Sequence, residues 1–171
     1  MKVEQIMTAL SKVFLLSVLS AVHLYASADD FTVGEITVPR GERVSGFITV
    51  PEGADEGTTI PVTIVHGASD GPVLALIAGI HGYEYPPITA LLAMRTQVDP
   101  AALSGTIIMV HIANMPSFLG RTIYYSPVDS KNLNRMFPGD PNGTISQRIA
   151  HILTTEVIDQ ANYVVDLHAG D

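Results

Sequence analysis

The chain has 171 residues, of which 47% are hydrophobic and 15% charged, proportions that suit one globular domain with a sizeable core. Its formal charge of −8 denies it the basic face that a phosphate backbone requires, which argues against nucleic acid as a partner. There is no cysteine, so disulfides and thiolate metal sites are excluded, and any metal must be held by His, Asp or Glu.

Residues 1–28 are a different kind of sequence. Two lysines against one glutamate open it, the 13-residue run VFLLSVLSAVHLY follows, and Ala-Ser-Ala closes it at Ala28. A positive start, a short apolar middle and a small-x-small site predict a signal peptide for export. The run falls short of the ~20 residues that span a membrane, although an uncleaved anchor is the competing reading. The expectation is a secreted or periplasmic bacterial protein, free of the membrane after processing.

Residues 29–59 predict a short β-rich N-terminal segment. FTVGEITVPRGERVSGFITV (31–50) alternates apolar and polar residues, and Pro39-Arg40-Gly41 breaks it into two strands. PEGADEGTT (51–59) is an acidic, Gly-rich loop, and IPVTIVH (60–66) is a further strand. The almost wholly apolar VLALIAGI (73–80) predicts a strand buried on both faces. Pro86 and Pro87 suit the first turn of a helix, with Ile88, Leu91, Leu92 and Val98 as its buried stripe. TIIMVHI (106–112) predicts a second buried strand, so the order strand, helix, strand implies an α/β sheet with crossovers. Residues 113–143 read as a long loop, a feature that is often functional. A helix over 144–160 opens on a Thr144/Gln147 capping box, and NYVVDLH (162–168) predicts a third buried strand.

His81 and Glu84 sit three residues apart just past one of these strands, and His168 ends another. Parallel strands of an open α/β sheet present their carboxyl ends to a crevice where ligands bind. If those two strands are neighbours, the three side chains meet. Two imidazoles and a carboxylate are the usual protein share of a catalytic zinc site, where the ion lowers the pKa of water and polarises a carbonyl. Blander readings stand beside this one: Glu84 as a helix cap near Pro86, and His168 as a satisfied core histidine. His66 and His111 read as core or edge residues, and His151 as a partly exposed helix position. Tyr124 and Tyr125 are loop anchors or substrate contacts. In DSKNLNRMFPGDP (129–141), Asn134 offers both donor and acceptor, and Arg135 offers a rigid fork for a carboxylate. The alternative is that Arg135 pairs with Asp129 or Asp140 and pins the loop.

GIHGYE, NLNRMFPG and VVDLH, in this order, resemble the succinylglutamate desuccinylase/aspartoacylase family, distant relatives of zinc carboxypeptidases, from about residue 60 to the last. The resemblance implies an α/β, zinc-carboxypeptidase-like sheet with flanking helices. It implies one zinc ion (Zn2+) per chain held by His81, Glu84 and His168, with Asn134 and Arg135 binding substrate. The activity it implies is a deacylase or amidohydrolase cleaving the acyl-amide bond of a small, carboxylate-bearing N-acyl amino acid. A carboxypeptidase-like or cell-wall peptide hydrolase, and a non-catalytic metal-containing binding protein, are the alternatives.

Two departures from the family pattern stand out. Related enzymes often carry Asp where this chain has Asn132, as a partner of the first zinc histidine; an amide oxygen still accepts from the imidazole but adds no charge. The family's general base is a Glu after the third ligand, whereas this sequence stops at Asp171. No catalytic base is therefore assigned, and residues 60–171 are expected to be the N-terminal part of a longer hydrolase domain, incomplete at the C-terminus. Asp166 shares a strand face with His168 and is expected to orient it. Arg121 is a candidate for a further substrate arginine.

Overall fold

The structure, a computed structural model, describes residues 29–170. The predicted signal segment, 1–28, lies outside them. Among the described residues no helix is long and apolar enough to cross a membrane.

Strands β1 (Phe31–Val33) and β2 (Ile36–Val38) form an antiparallel hairpin. Only Gly34 and Glu35 connect them, and Gly34 takes the φ of +54° that so tight a turn demands. The stretch 31–50 therefore holds three strands rather than the two expected. The third, β3 (Glu42–Val50), pairs antiparallel with β4 (Thr58–His66) in the main sheet. There follow β5 (Ser69–Ala78), α1 (Tyr85–Met94), β6 (Ser104–Val110), the short α2 (Met115–Gly120), α3 (Ile145–Leu153) and β7 (Tyr163–Leu167).

The sheet order is β3-β4-β6-β5-β7, with β5 parallel to both β6 and β7. From β5 the chain steps one way to reach β6, then returns across β5 to reach β7. Right-handed crossovers in opposite directions place their helices on opposite faces. Accordingly α1 packs Ile88 and Leu91 with Val65, Leu76, Ala78 and Met109. On the other face α3 packs Ile145, Ile149 and Leu153 with Ile60, Ile64, Ala75, Ile77, Ile108 and Val110, and the hairpin closes that core with Val33, Ile36 and Val38. Successive residues of β5 thus enter different cores, which is why its run carries no polar alternation.

Four expectations need correction. Leu92 is 39% exposed and not part of the stripe of α1. The loop 113–143 contains α2 and a 3-10 turn, Leu133–Arg135. The last helix keeps its Thr144/Gln147 capping box but is α-helical only over Ile145–Leu153, widening to a π-turn over Thr154–Ile158. Finally, β7 is not buried: Tyr163, Val164 and Val165 are all exposed. Among the described strands it pairs only with β5 and forms the edge of the sheet.

Candidate metal centre

Neighbouring parallel strands β5 and β7 are in register at Ala78 and Leu167, so their carboxyl ends coincide. His81 lies three residues beyond the first end and His168 one beyond the second. Gly79, at φ +71°, turns the chain off β5. Gly82 lies so close to the Ser117–Phe118 backbone of α2 that any Cβ would collide with it. That contact holds the His81–Glu84 turn in place. Glu84 occupies the N-cap position of α1, yet its side chain makes no cap bond.

Both oxygens of Glu84 face imidazoles instead. His81 Nδ1 lies 2.9 Å from Oε1, and His168 Nδ1 lies 2.8 Å from Oε2, which also accepts from the Ala169 amide at 3.2 Å. The outer nitrogens have acceptors of their own: His81 Nε2 is 3.3 Å from Asn132 Oδ1, and His168 Nε2 is 2.9 Å from Asp166 Oδ2. Asn132 Oδ1 also accepts the Asn134 amide at 3.0 Å, which fixes it as the oxygen. Amide and carboxylate oxygens only accept, so a neutral His81 donates either to Glu84 from Nδ1 or to Asn132 from Nε2, and a cation at Nδ1 settles the proton on Nε2. His168 is placed in the same way, between the Glu84 and Asp166 carboxylates. Both rings therefore turn Nδ1 to one point, the arrangement by which outer partners orient metal ligands.

The donor set fits a divalent ion. His81, Glu84 and His168 each offer a ligand atom, all within 4.8 Å of one another. Zinc bonds of about 2.0–2.2 Å in a tetrahedron separate ligand atoms by about 3.3–3.6 Å, so a small opening of the Nδ1–oxygen contacts admits the ion. With Asn132 and Asp166 placed to accept from Nε2, a cation at the two Nδ1 atoms takes the place of the protons they would otherwise donate to Glu84.

The two rings differ in surroundings. His81 and Glu84 are buried, whereas the His168 side chain is 31% exposed. Burial lowers the pKa of His168, but the hydrogen bond and charge of Asp166, joined by Glu84, outweigh it and raise the group above its usual 6.5. Tyr124 stands edge-on to His81, with ring centroids 4.9 Å apart.

The loop carrying Asn132 is anchored from behind. Leu133 is fully buried in the core. The Asp129 carboxylate accepts from the Ser146 amide at 2.9 Å and the Ser146 hydroxyl at 2.8 Å, and Lys131 Nζ donates to Gln147 Oε1 at 2.8 Å. Burial pushes the Asp129 pKa up, but the donors from Ser146, Thr144 and Lys131 hold it below its ordinary value. Asp140 accepts the Asn142 amide. Neither acid pairs with Arg135, and among the described residues no carboxylate lies within ion-pair distance of it. Arg135 is exposed, and its guanidinium donates to the Asn134 carbonyl at 3.2 Å.

Other singled-out residues fall elsewhere. Arg121 caps α2 and lines a groove with Tyr85, Ile88 and Phe118. His66 is held between Thr106 and the Asp29 carbonyl, and His111 bonds Thr63; both are buried away from the cluster. His151 is half-buried on α3. Sequence reasoning missed the Ala169 amide and a cavity beside Glu84, since neither leaves a motif or a period.

An α/β sheet with two histidines and a carboxylate gathered at adjacent parallel strand ends places the chain in the zinc-carboxypeptidase-like fold class. The family model of the succinylglutamate desuccinylase/aspartoacylase catalytic domain matches residues 70–171, and the chain belongs to that family. It is 38% identical over 130 residues to the N-alpha-acetyl-L-2,4-diaminobutyric acid deacetylase of Halomonas elongata, covering 73% of this chain and 37% of that protein. A crystal structure of succinylglutamate desuccinylase/aspartoacylase from Rhodobacter sphaeroides superposes with a TM-score of 0.72 at 33% identity, over 80% of this chain and 43% of the other. The product-bound ectoine utilization protein EutE (DoeB) from Ruegeria pomeroyi does so at 0.72 and 30% identity, over 84% and 44%. The chain thus spans less than half the length of these relatives.

Proposed function

We propose that this chain forms the metal-holding part of a zinc-dependent deacylase acting on the acyl-amide bond of a small N-acyl amino acid or similar carboxylate-bearing substrate. The observation that carries the reading is the convergence of two Nδ1 atoms on the two oxygens of Glu84, with each Nε2 tied to its own acceptor. Kinship with a deacetylase of an N-acetyl amino acid supports the reaction class.

Bound zinc would supply Lewis acidity, polarising the acyl carbonyl and lowering the pKa of water. His81, Glu84 and His168 would hold the ion, while Asn132 and Asp166 keep the rings aimed. Arg135, with no carboxylate partner among the described residues, presents its fork to the substrate's carboxylate, and Asn134 beside it offers a donor and an acceptor. Glu84 is committed to both imidazoles and Asp166 to His168, so neither serves as the base. The reading assigns proton transfer to a group outside residues 29–170. On the strength of residues 1–28 alone, we also infer export, which a reporter fused behind that segment would check.

Metal analysis of the purified protein should find one zinc per chain, lost in His81→Ala and His168→Ala. On the complete protein, short N-acyl amino acids should be cleaved in preference to peptides, and Arg135→Lys should raise KM more than it lowers kcat. Full zinc occupancy in both histidine variants overturns the reading; a preference for peptides would move the activity to the carboxypeptidase class.

A further inference from the structure

Beside the three candidate ligands lies a cavity of about 250 Å³, walled by Tyr83, Glu84, Pro86, Ile123, Ala169 and Gly170. It shares Glu84 with the cluster, and two of its walls follow His168 directly in the chain. A phenol ring, a proline ring, an isoleucine and two small residues make up the rest, and among the described residues no Lys, Arg or His lines it. Its volume lies below the ~300–1,000 Å³ of pockets that engulf a drug-sized ligand, so it suits a fragment of a substrate. Tyr83 and Ile123 keep 51% and 38% of their surface exposed, leaving apolar area for a ligand to cover.

We propose that this cavity receives the acyl side chain, and that it selects a short, uncharged aliphatic acyl group over a dicarboxylic one such as succinyl. The inference rests on the deacylase reading and deepens it. An acyl carbonyl held at the cluster sends its amide portion one way and its acyl carbon another. Arg135 is the partner for the charged amine portion and is not a wall of the cavity. A carboxylate tail inside the cavity would lose water against Tyr83, Pro86 and Ile123 and lie beside Glu84. Methylenes in the same place gain from burial.

Acylhydroxamates test this on the zinc-loaded protein, because their chelating head takes the metal while the tail samples the cavity. Isothermal titration calorimetry with the acetyl, butyryl and hexanoyl compounds should show affinity rising about fourfold per methylene as far as butyryl, then levelling as the cavity fills. The succinyl monohydroxamate should bind no better than the acetyl one. Ile123→Trp, at a position 38% exposed, should cut the ratio of butyryl to acetyl affinity more than tenfold. A flat chain-length series, a succinyl compound tighter than the butyryl one, or a ratio untouched by Ile123→Trp overturns the cavity assignment while acetohydroxamate binding still upholds the metal reading. If no hydroxamate binds in a zinc-dependent way, the deacylase reading falls and takes the cavity assignment with it.

Discussion

His81 and His168 turn the same ring atom to the same carboxylate from opposite surroundings. The first is buried, leaves an inner strand, and is backed by a neutral amide, Asn132. The second is partly exposed, ends the outermost described strand, and is backed by a carboxylate, Asp166. Packing holds the first limb: Gly82 against α2, Leu133 in the core, Asp129 on the start of α3. Charge holds the second. The difference teaches that a ligand ring can be oriented by rigidity or by electrostatics, and that only the electrostatic route also strengthens the ring's donor atom.

The sharpest way to break this comparison is to remove what both limbs share. Glu84→Ala should abolish zinc binding in a chelator titration, the largest effect of any substitution here, and should leave both Nδ1 atoms without their common partner. Next, Asp166→Asn should weaken zinc binding by roughly 10–100-fold, while the mirror change Asn132→Asp should tighten it. Weaker or unaltered affinity in Asn132→Asp would show that charge behind the ring does not separate the limbs.

A third histidine supplies a contrast without a metal. His111 is buried with Nδ1 unpartnered, and burial first, then the positive Arg95, lowers its pKa from 6.5 to about 4. The unfolded chain takes up this proton below pH 6.5, while the native fold refuses it down to about 4. The stabilisation is therefore complete above pH 6.5 and is lost as the pH falls toward 4, about 2 kcal/mol of it by pH 5. Denaturant unfolding at a series of pH values should show that slope, and His111→Leu should flatten it. His168 runs the other way: its raised pKa means that zinc competes with a proton, so affinity should fall as pH drops below that value. Asp166→Asn should move the fall to lower pH. The smallest effect expected is that of Asp129→Ala, about 1 kcal/mol of stability from the lost helix cap, read by thermal unfolding.

Much of this architecture is legible in the residues themselves. The apolar runs of β5 and β6, the Pro-Pro start of α1, the Thr144/Gln147 box and the spacing of His81 and Glu84 are local signals, and each lies where its pattern predicts. Less legible is what depends on partners far away in the chain. Arg135 looked able to pair with Asp129 or Asp140, but those acids are taken by the Ser146 and Asn142 amides. Position alone makes Glu84 a cap for α1, but its two oxygens face the His81 and His168 rings. Arg148, a charged residue of α3, is buried and donates to the carbonyls of Pro51, Gly143, Asp55 and Glu56, tying the acidic loop to the helix.

By itself the sequence determined the strands β4 to β7 and the helices α1 and α3, because periodicity and propensity act over a few residues, and it determined which side chains follow those strands. Only the tertiary structure decided that β7 lies beside β5 and that His168 therefore meets Glu84. Strand neighbourhood follows from the direction and handedness of whole crossovers and from the two cores they must close, and no short window of residues contains that information.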